Sequence, residues 1–321
     1  MTDVNKLRNR LWVEKYRPKT IDDVILPSKT KSLFETLRDK GAGEVPNLLL
    51  SGPPGTGKTT VAKALISDLD SDYLMINGSD SADAGIDSFR TRVKSFASSV
   101  SLEGTRKFVI IDEGDYLGPT VQPALRNMME ELSKNCTFII TCNHRNRIIE
   151  ALQSRLSLVE FHIPSDEKSA IFKSFLNRVT NILDENGVEY EKRAVAEYTA
   201  KHFPDFRKVI NELQKHSNTK GVVDSSILGD NKEDAIAELM EHMKKKNFTA
   251  VRKWCNDNID LGSSTIFRQI YDSISKHVVA NSIPQAILIL ADYQYKAYFV
   301  ADLELNLVAA LTELMAEMEW R

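Results

Sequence analysis

The sequence predicts an α/β fold. A five-stranded parallel sheet carries a phosphate loop and is followed by a small helical domain and a C-terminal all-helical domain. Three observations predict it. Short apolar runs alternate with amphipathic stretches between residues 46 and 163. A glycine-rich loop ends the first of those runs and opens a helix. After Ile163-Pro164 no further convincing strand appears, and helical periodicity runs to the C-terminus.

The expected strands are Leu48–Ser51, Tyr73–Asn77, Phe108–Asp112, Thr137–Thr141 and Leu158–His162. Each is a short run of mostly apolar or β-branched residues, as strands buried on both faces require. The stretches between them are amphipathic; over 59–69, Val61, Ala62, Leu65, Ile66 and Leu69 share a side. Strand–helix alternation implies parallel pairing through right-handed crossovers. Beyond Pro164, helices are expected over 167–183, 192–201 and 206–216, the last after the Phe203-Pro204-Asp205 break. Polar, glycine-containing segments near 218–221 and 229–232 mark a second boundary, and helices are expected over 235–246, 249–256, 264–277 and 284–321. The organisation read from this is 1–164, 165–228 and 229–321.

Composition narrows the function. Of 321 residues, 42 are Lys or Arg and 45 Asp or Glu, for a net charge of −3. Bulk positive charge therefore does not hold this chain on nucleic acid, and any such contact needs a local basic surface. The longest apolar runs, such as Ala286–Ala291, are too short to span a bilayer, so no membrane partner is expected. The opening Met1-Thr2-Asp3-Val4-Asn5-Lys6 has no apolar region behind it, so no secretory leader is expected. Cys136, Cys142 and Cys255 form no metal-ligand spacing and read as reduced thiols of a cytoplasmic protein.

The strongest local signal is Gly52-Pro53-Pro54-Gly55-Thr56-Gly57-Lys58-Thr59, continued by Thr60. It fits GxxxxGK[ST] between a strand and a helix. The glycines let successive backbone N–H groups face a phosphate, and the helix adds its positive end. Lys58 is placed to reach the β and γ phosphates of ATP and Thr59 to hold Mg²⁺. Next, Phe108-Val109-Ile110-Ile111-Asp112-Glu113 carries two carboxylates to a strand's C-terminal edge. Asp112 suits Mg²⁺ and Glu113 the attacking water, so the pair points to hydrolysis; the bland alternative is a surface Asp-Glu ending an ordinary strand. Asn143 ends a third such strand, where Asn alone is usually a turn residue. If the strand after Ser154-Arg155 lies on the far side of the sheet, Arg155 is remote from its own phosphate loop and can serve a neighbouring subunit's; a solvated surface arginine is the commoner fate. Arg207, opening a helix of the second domain, can cross to the γ-phosphate, or be an ordinary helix start.

Together these residues resemble the AAA+ ATPases, and specifically their sliding-clamp-loader subunits. The resemblance covers the whole chain. Its most discriminating segment is Leu11-Trp12-Val13-Glu14-Lys15-Tyr16-Arg17-Pro18, followed by Thr20-Ile21-Asp22-Asp23-Val24-Ile25. In that family this box encloses the adenine, and Trp12, Val13, Val24 and Ile25 supply an apolar wall here. The resemblance assigns Lys58 and Thr59 to Walker A and Asp112 and Glu113 to Walker B. It assigns Asn143 to sensor 1, Arg155 to an arginine finger acting in trans, and Arg207 to sensor 2. Gln122-Pro123-Ala124-Leu125-Arg126 resembles the helix coupling DNA contact to the ATP site; Pro123 is compatible if that helix starts near Thr120. The finger motif departs from the family's Ser-Arg-Cys in having Leu156. The Pro204-Asp205-Phe206-Arg207-Lys208 wording is nearer the phage subunits than the eukaryotic or archaeal ones.

The resemblance implies an ATPase stimulated by clamp and DNA. Copies of the chain, with a smaller loader subunit, form a hetero-pentamer through the C-terminal collar. That assembly loads a sliding clamp onto primer–template DNA for the replicative polymerase, in the cytoplasm of a phage-infected bacterium. Residues 86–107 hold Arg90, Arg92, Lys94, Arg106 and Lys107 against Asp87 and Glu103, a local +3 (5 − 2), so Arg90, Lys94 and the Asn77-Gly78-Ser79 turn are candidate phosphate contacts. A solvated helix face is the competing reading. Phe96, Val100 and Leu102 are a candidate clamp-docking end, against a buried core helix. Lys244-Lys245-Lys246 reads as a solvated helix end, and Trp254, Trp320 and the aromatics of Tyr293–Phe299 as collar packing. The alternatives to a loader are another AAA+ DNA machine such as a branch-migration helicase, and a subunit that binds nucleotide without hydrolysing it.

Overall fold

The computed structural model describes residues 11–99, 106–228, 232–259 and 262–321. It forms two compact units, Met1–Leu228 and Gly229–Arg321.

Among the described residues the first unit begins with α1 (Trp12–Lys15) and α2 (Ser28–Lys40). Strand–helix alternation follows: β1 (Leu48–Ser51), α3 (Lys58–Asp68), β2 (Tyr73–Asn77), α4 (Gly78–Ser98), β3 (Lys107–Asp112), α5 (Val121–Glu131), β4 (Cys136–Cys142), α6 (Glu150–Gln153) and β5 (Ser157–Glu160). The five strands are parallel in the order β2-β3-β4-β1-β5. The alternation of side chains explains why these strands read as unbroken apolar runs. Leu48, Leu50, Phe108, Ile110 and Ile139 face one side, against Phe34 and Leu37 of α2 and Val61 and Leu65 of α3. Leu49, Val109, Ile111, Phe138 and Ile140 face the other, against Phe89 and Val93 of α4 and Leu125 and Met128 of α5. Both faces are covered, so both parities are apolar.

The expected fifth strand is corrected in length and place. It ends at Glu160, and it pairs with β1 beside the phosphate loop, not on the far side of the sheet. Pro123 is the third residue of α5, in the first turn, where its missing N–H leaves no helical bond unmade.

The unit continues with α7 (Lys168–Glu185), β6 (Glu189–Tyr190), α8 (Lys192–His202), α9 (Phe206–Lys220) and β7 (Val222–Val223). The expectation of no strand after residue 164 is therefore corrected. β6 and β7 form a two-residue parallel pair, too short to leave a periodic signal. These helices close over a core of Phe175, Val179, Leu183, Val195, Val209 and Leu213.

The second unit holds α10 (Lys232–Lys244), α11 (Phe248–Asn258), α12 (Ser263–Ile274), α13 (Ile283–Lys296) and α14 (Leu303–Glu317). The expected continuous helix over 284–321 is two helices with a break between them. Trp254 is buried in this core and Tyr293 and Trp320 pack against it. Tyr295, in the last turn of α13, and Tyr298 and Phe299, just beyond it, instead stand 66%, 76% and 72% exposed, so these three take no part in the unit's own core. Lys244, Lys245 and Lys246 are exposed, as a solvated helix end should be.

The three cysteines are free and buried, and burial pushes each thiol up in pKa, Cys255 to about 12. Among the described residues, no helix is long and apolar enough to cross a membrane.

Candidate active site

Strand register places the chemistry on one edge. Ser51 pairs with Cys142, and Asn77 with Asp112, so β1 to β4 end level with one another. The phosphate loop, Glu113 and Asn143 are the residues that follow those ends and emerge together. Lys58 begins α3 and is 8% exposed. Its Nζ donates to the carbonyls of Gly52 and Pro53, both at 2.8 Å, and to Asn143 Oδ1 at 2.9 Å. Burial holds the Lys58 ammonium below the ordinary lysine pKa, and the nearby Arg207 charge works in the same direction. Asp112 and Asp115 oppose this.

Thr59 Oγ1 donates to Asp112 Oδ1 at 2.6 Å. A hydroxyl and a carboxylate in contact are hard oxygen donors that fit Mg²⁺. Thr141 Oγ1 also donates to Asp112 Oδ1, at 2.6 Å, and accepts the Glu113 N–H at 3.1 Å. Thr141 was not singled out in the sequence; a β-branched residue inside an apolar strand looks like packing. Glu113 itself takes a left-handed backbone, φ +55°, which turns the chain sharply after Asp112.

The helical part of the same unit closes the cleft. Val13, Tyr16, Arg17, Pro18, Val24 and Ile25 line one side, from the N-terminal segment. Phe175 and Arg178 of α7, and Phe206, Arg207 and Ile210 of α9, line another. The floor is Pro54 to Thr60 with Asp112, Glu113 and Asn143. The apolar end suits a purine and the polar end a polyphosphate. Arg178 Nη2 donates to the Asp23 carbonyl at 2.5 Å, tying α7 to the N-terminal segment, and its burial lowers its pKa.

Asp205 caps α9 by accepting the Lys208 N–H at 3.0 Å, and Phe206 N donates to the Gly55 carbonyl at 3.2 Å. The start of α9, with Arg207 on it, is thereby seated on the phosphate loop. Gly55 makes the seat possible: its φ is +76°, and a Cβ there would lie 1.9 Å from Asp205 Oδ1 and 3.1 Å from Asp205 Cα. Gly55→Ala should therefore cost roughly 1–2 kcal/mol in backbone strain alone and push α9 off the loop. The expected result is a lower melting temperature and at least a tenfold loss of affinity for a fluorescent ATP analogue. Unchanged affinity would mean that α9 does not need this seat.

Several expected residues fall elsewhere. Trp12 is buried in the core of the helical part, and its backbone N–H donates to Gln214 Oε1 at 2.9 Å; it anchors the N-terminal segment and does not line the cleft. Its large apolar side chain was read as adenine wall because the sequence does not say which core an indole fills. Glu14 and Lys15 also lie outside the lining. Glu14 pairs with Arg17, and Lys15 Nζ donates to Tyr16 Oη at 2.8 Å. Gly52 and Pro53 act through carbonyls bonded to Lys58.

Arg155 stands at the opposite edge of the sheet. It precedes Ser157, which pairs with Leu48, the first residue of β1, whereas the phosphate loop follows the last. It is thus remote from its own cleft because of which strand end it occupies, not because β5 is distant. Its Nε and Nη2 reach Glu130 Oε1 at 2.6 and 2.5 Å, and its Nη1 donates to the Ala151 carbonyl at 2.9 Å, leaving the side chain 36% exposed.

Of the candidate phosphate contacts, Arg90 is exposed and Lys94 pairs with Glu131 at 2.8 Å; Arg92, counted in the same basic run, is exposed as well. Lys107, which contributes to that run's charge, is 5% exposed, and its Nζ caps the end of α4 through the carbonyls of Phe96 and Ser99. Arg106 is likewise engaged, with Thr137 Oγ1 at 2.6 Å and the Ser133 carbonyl at 2.6 Å. Phe96 packs against the sheet core, which favours the core reading over clamp docking. Val100, Leu102 and Glu103 lie outside the described residues. Gln122, from the expected coupling helix, is buried with its amide bonded to the Leu117 and Arg147 carbonyls and the Ile149 N–H. Phe175, Arg178, Phe206 and Ile210 were missed because helical spacing marks them only as a buried face. Asp115 was missed as well; it follows the Asp112-Glu113 pair by two residues and reads locally as turn material.

Comparison with known proteins identifies the family. Residues 48–165 match the family described as ATPase family associated with various cellular activities (AAA). Residues 166–229 match the AAA+ ATPase lid domain of the sliding-clamp-loader large subunit. The chain is 37% identical to the sliding-clamp-loader large subunit of Enterobacteria phage T4, over 100% of both chains. It is 35% identical to that of Escherichia phage RB69, over 98% of both. A replication factor C small subunit of Sulfurisphaera tokodaii is 34% identical, over 95% of this chain and 94% of its own. Among solved structures, Thermotoga maritima RuvB (R170A) aligns with a TM-score of 0.53 at 16% identity, covering 71% of this chain and 78% of RuvB. That likeness is one of fold.

Proposed function

We propose, from the premise that this chain belongs to the AAA+ sliding-clamp-loader family, that it completes its ATPase site only when assembled with neighbouring subunits. The chain is an ATP-driven clamp-loader ATPase. In this reading 1–164 binds nucleotide, 165–228 is the lid and 229–321 the collar through which subunits assemble. Copies of the chain join a smaller loader subunit as a hetero-pentamer, open a sliding clamp and place it on primer–template DNA for the replicative polymerase. The work is done in the cytoplasm of an infected bacterial host.

The single observation that carries the reading is the separation of Arg155 from its own cleft, with its guanidinium held at the surface on Glu130 and the Ala151 carbonyl. Lys58 and the phosphate-loop backbone grip the triphosphate. Thr59 and Asp112 hold Mg²⁺, which when bound neutralises charge on the β and γ oxygens. Glu113 orients and polarises the attacking water, and Asn143 fixes the γ-phosphate end. Arg207, seated with α9 on the phosphate loop, couples lid closure to the γ-phosphate. Val13, Val24 and Ile25 enclose the adenine, with Phe175 and Ile210 added to that wall.

Steady-state ATPase measured with and without a sliding clamp and a primer–template junction tests the reading. Turnover is expected to be weak for the chain alone and to rise steeply, at least tenfold, when the assembled loader meets both. Efficient hydrolysis by the isolated monomer would overturn it.

A further inference from the structure

We propose that Asp115 is a positioning residue for ATP hydrolysis, whose buried carboxylate fixes the backbone from which Asn143 reaches the phosphate site. The inference rests on the reading of Asn143 given above and adds a residue to it.

Asp115 lies in the single 3-10 turn, Gly114–Tyr116, that follows Glu113. It is 5% exposed. Its Oδ2 accepts two backbone N–H groups, Asn143 at 3.2 Å and His144 at 3.1 Å. Its Oδ1 is buried and has no hydrogen-bond partner among the described residues. A carboxylate taken out of water gives up hydration, and two neutral N–H donors replace only part of it. What those bonds accomplish is geometric. β4 ends at Cys142, so the backbone of Asn143 is the first to leave the sheet ladder. Asp115 takes over where the ladder stops.

Asn143 is thus held at two points. Its main chain is held by Asp115 and its side chain by Lys58 Nζ, at 2.9 Å. The two loops that must meet the γ-phosphate are thereby joined twice. Thr141 links the end of β4 to Asp112 and Glu113, and Asp115 links the residues beyond β4 to the turn beyond Glu113. A displacement of about 1 Å in such a group can cost roughly 10²-fold in rate. Binding is less affected, because Asp115 does not itself line the cleft, and the phosphate loop and the lid wall keep their direct contacts without it.

The test is a set of variants in the assembled loader with clamp and primed DNA, reading kcat and KM for ATP separately. Asp115→Ala should lower kcat by about 10–10²-fold, with KM changed by less than about threefold. Asp115→Asn keeps an oxygen that can accept both N–H groups and should recover most of that loss, whereas Asp115→Leu fills the space without an acceptor and should not; equal recovery by Leu would mean that packing alone is at work and would overturn the proposal. The double variant Asp115→Ala with Asn143→Ala should be no slower than the slower single variant. Effects that multiply would overturn the proposal, because Asp115 would then act by another route. If Asn143→Ala leaves kcat unchanged, the role given to Asn143 fails first and takes this proposal with it. If Asn143→Ala slows turnover and Asp115→Ala does not, only the present inference fails. Hydrogen exchange in the unaltered protein is independent of whether any variant folds. The amides of Asn143 and His144 should be protected to a degree comparable with β4, and fast exchange there would overturn the proposal.

Discussion

Arg155→Ala should abolish hydrolysis by the assembled loader, by about 10³–10⁵-fold, while each subunit still binds ATP in its own cleft. That range is what an arginine finger contributes to phosphoryl transfer, and it corresponds to roughly 4–7 kcal/mol of barrier. The separation of the two effects follows from position. The guanidinium lies at the edge of the sheet where β1 and β5 begin, and the phosphate loop lies where β1 ends. Removing the side chain takes away an exposed ion pair with Glu130, which contributes roughly 0–1 kcal/mol to stability. Binding of a fluorescent ATP analogue and the melting temperature should therefore match the unaltered chain, and phosphate release should vanish. Loss of nucleotide binding in this variant, with hydrolysis by unaltered monomers, would place the finger in cis.

Glu113→Gln is expected to give the second largest effect, a loss of about 10²–10⁴ in turnover with ATP-dependent clamp binding retained. The amide has the shape of the carboxylate but cannot take a proton from water, and general-base assistance contributes on that order. The backbone should tolerate the change. Residue 113 sits at φ +55° and is held by its N–H on Thr141 Oγ1, neither of which depends on the side chain's charge. The loader should therefore bind ATP, engage clamp and primed DNA, and stall before release. Phosphate release against clamp retention on primed DNA measures it. A subunit that only binds nucleotide would show no change, so the variant also separates the catalytic reading from the structural one.

The parts of the site that were legible in the sequence are local. Lys58 and Thr59 must follow their glycines directly, because one loop has to wrap one phosphate. Asp112-Glu113 and Asn143 were legible because each ends a strand, and parallel strands in register deliver their ends to one edge. The sheet itself was legible from runs apolar at both parities, which the two covered faces require.

The residues read wrongly or overlooked share a different cause. Trp12 and Phe96 have side chains whose chemistry suits a ligand or a partner, and each is taken up by a core built from residues distant in sequence; Lys107 adds to a basic run and is consumed by a helix end. Tyr295, Tyr298 and Phe299 suit a core and face solvent.

The sequence alone determined the phosphate-loop motif of an ATPase and the Asp112-Glu113 pair beside it, since those groups are contiguous or lie at strand ends. Tertiary structure decided the rest: that α9 sits on Gly55, that Phe175 and Arg178 wall the cleft, that Asp115 holds Asn143, and that Arg155 faces away. The physical reason is that a loop's own geometry is set by its neighbours in the chain, whereas contacts between elements are set by which buried faces fit together.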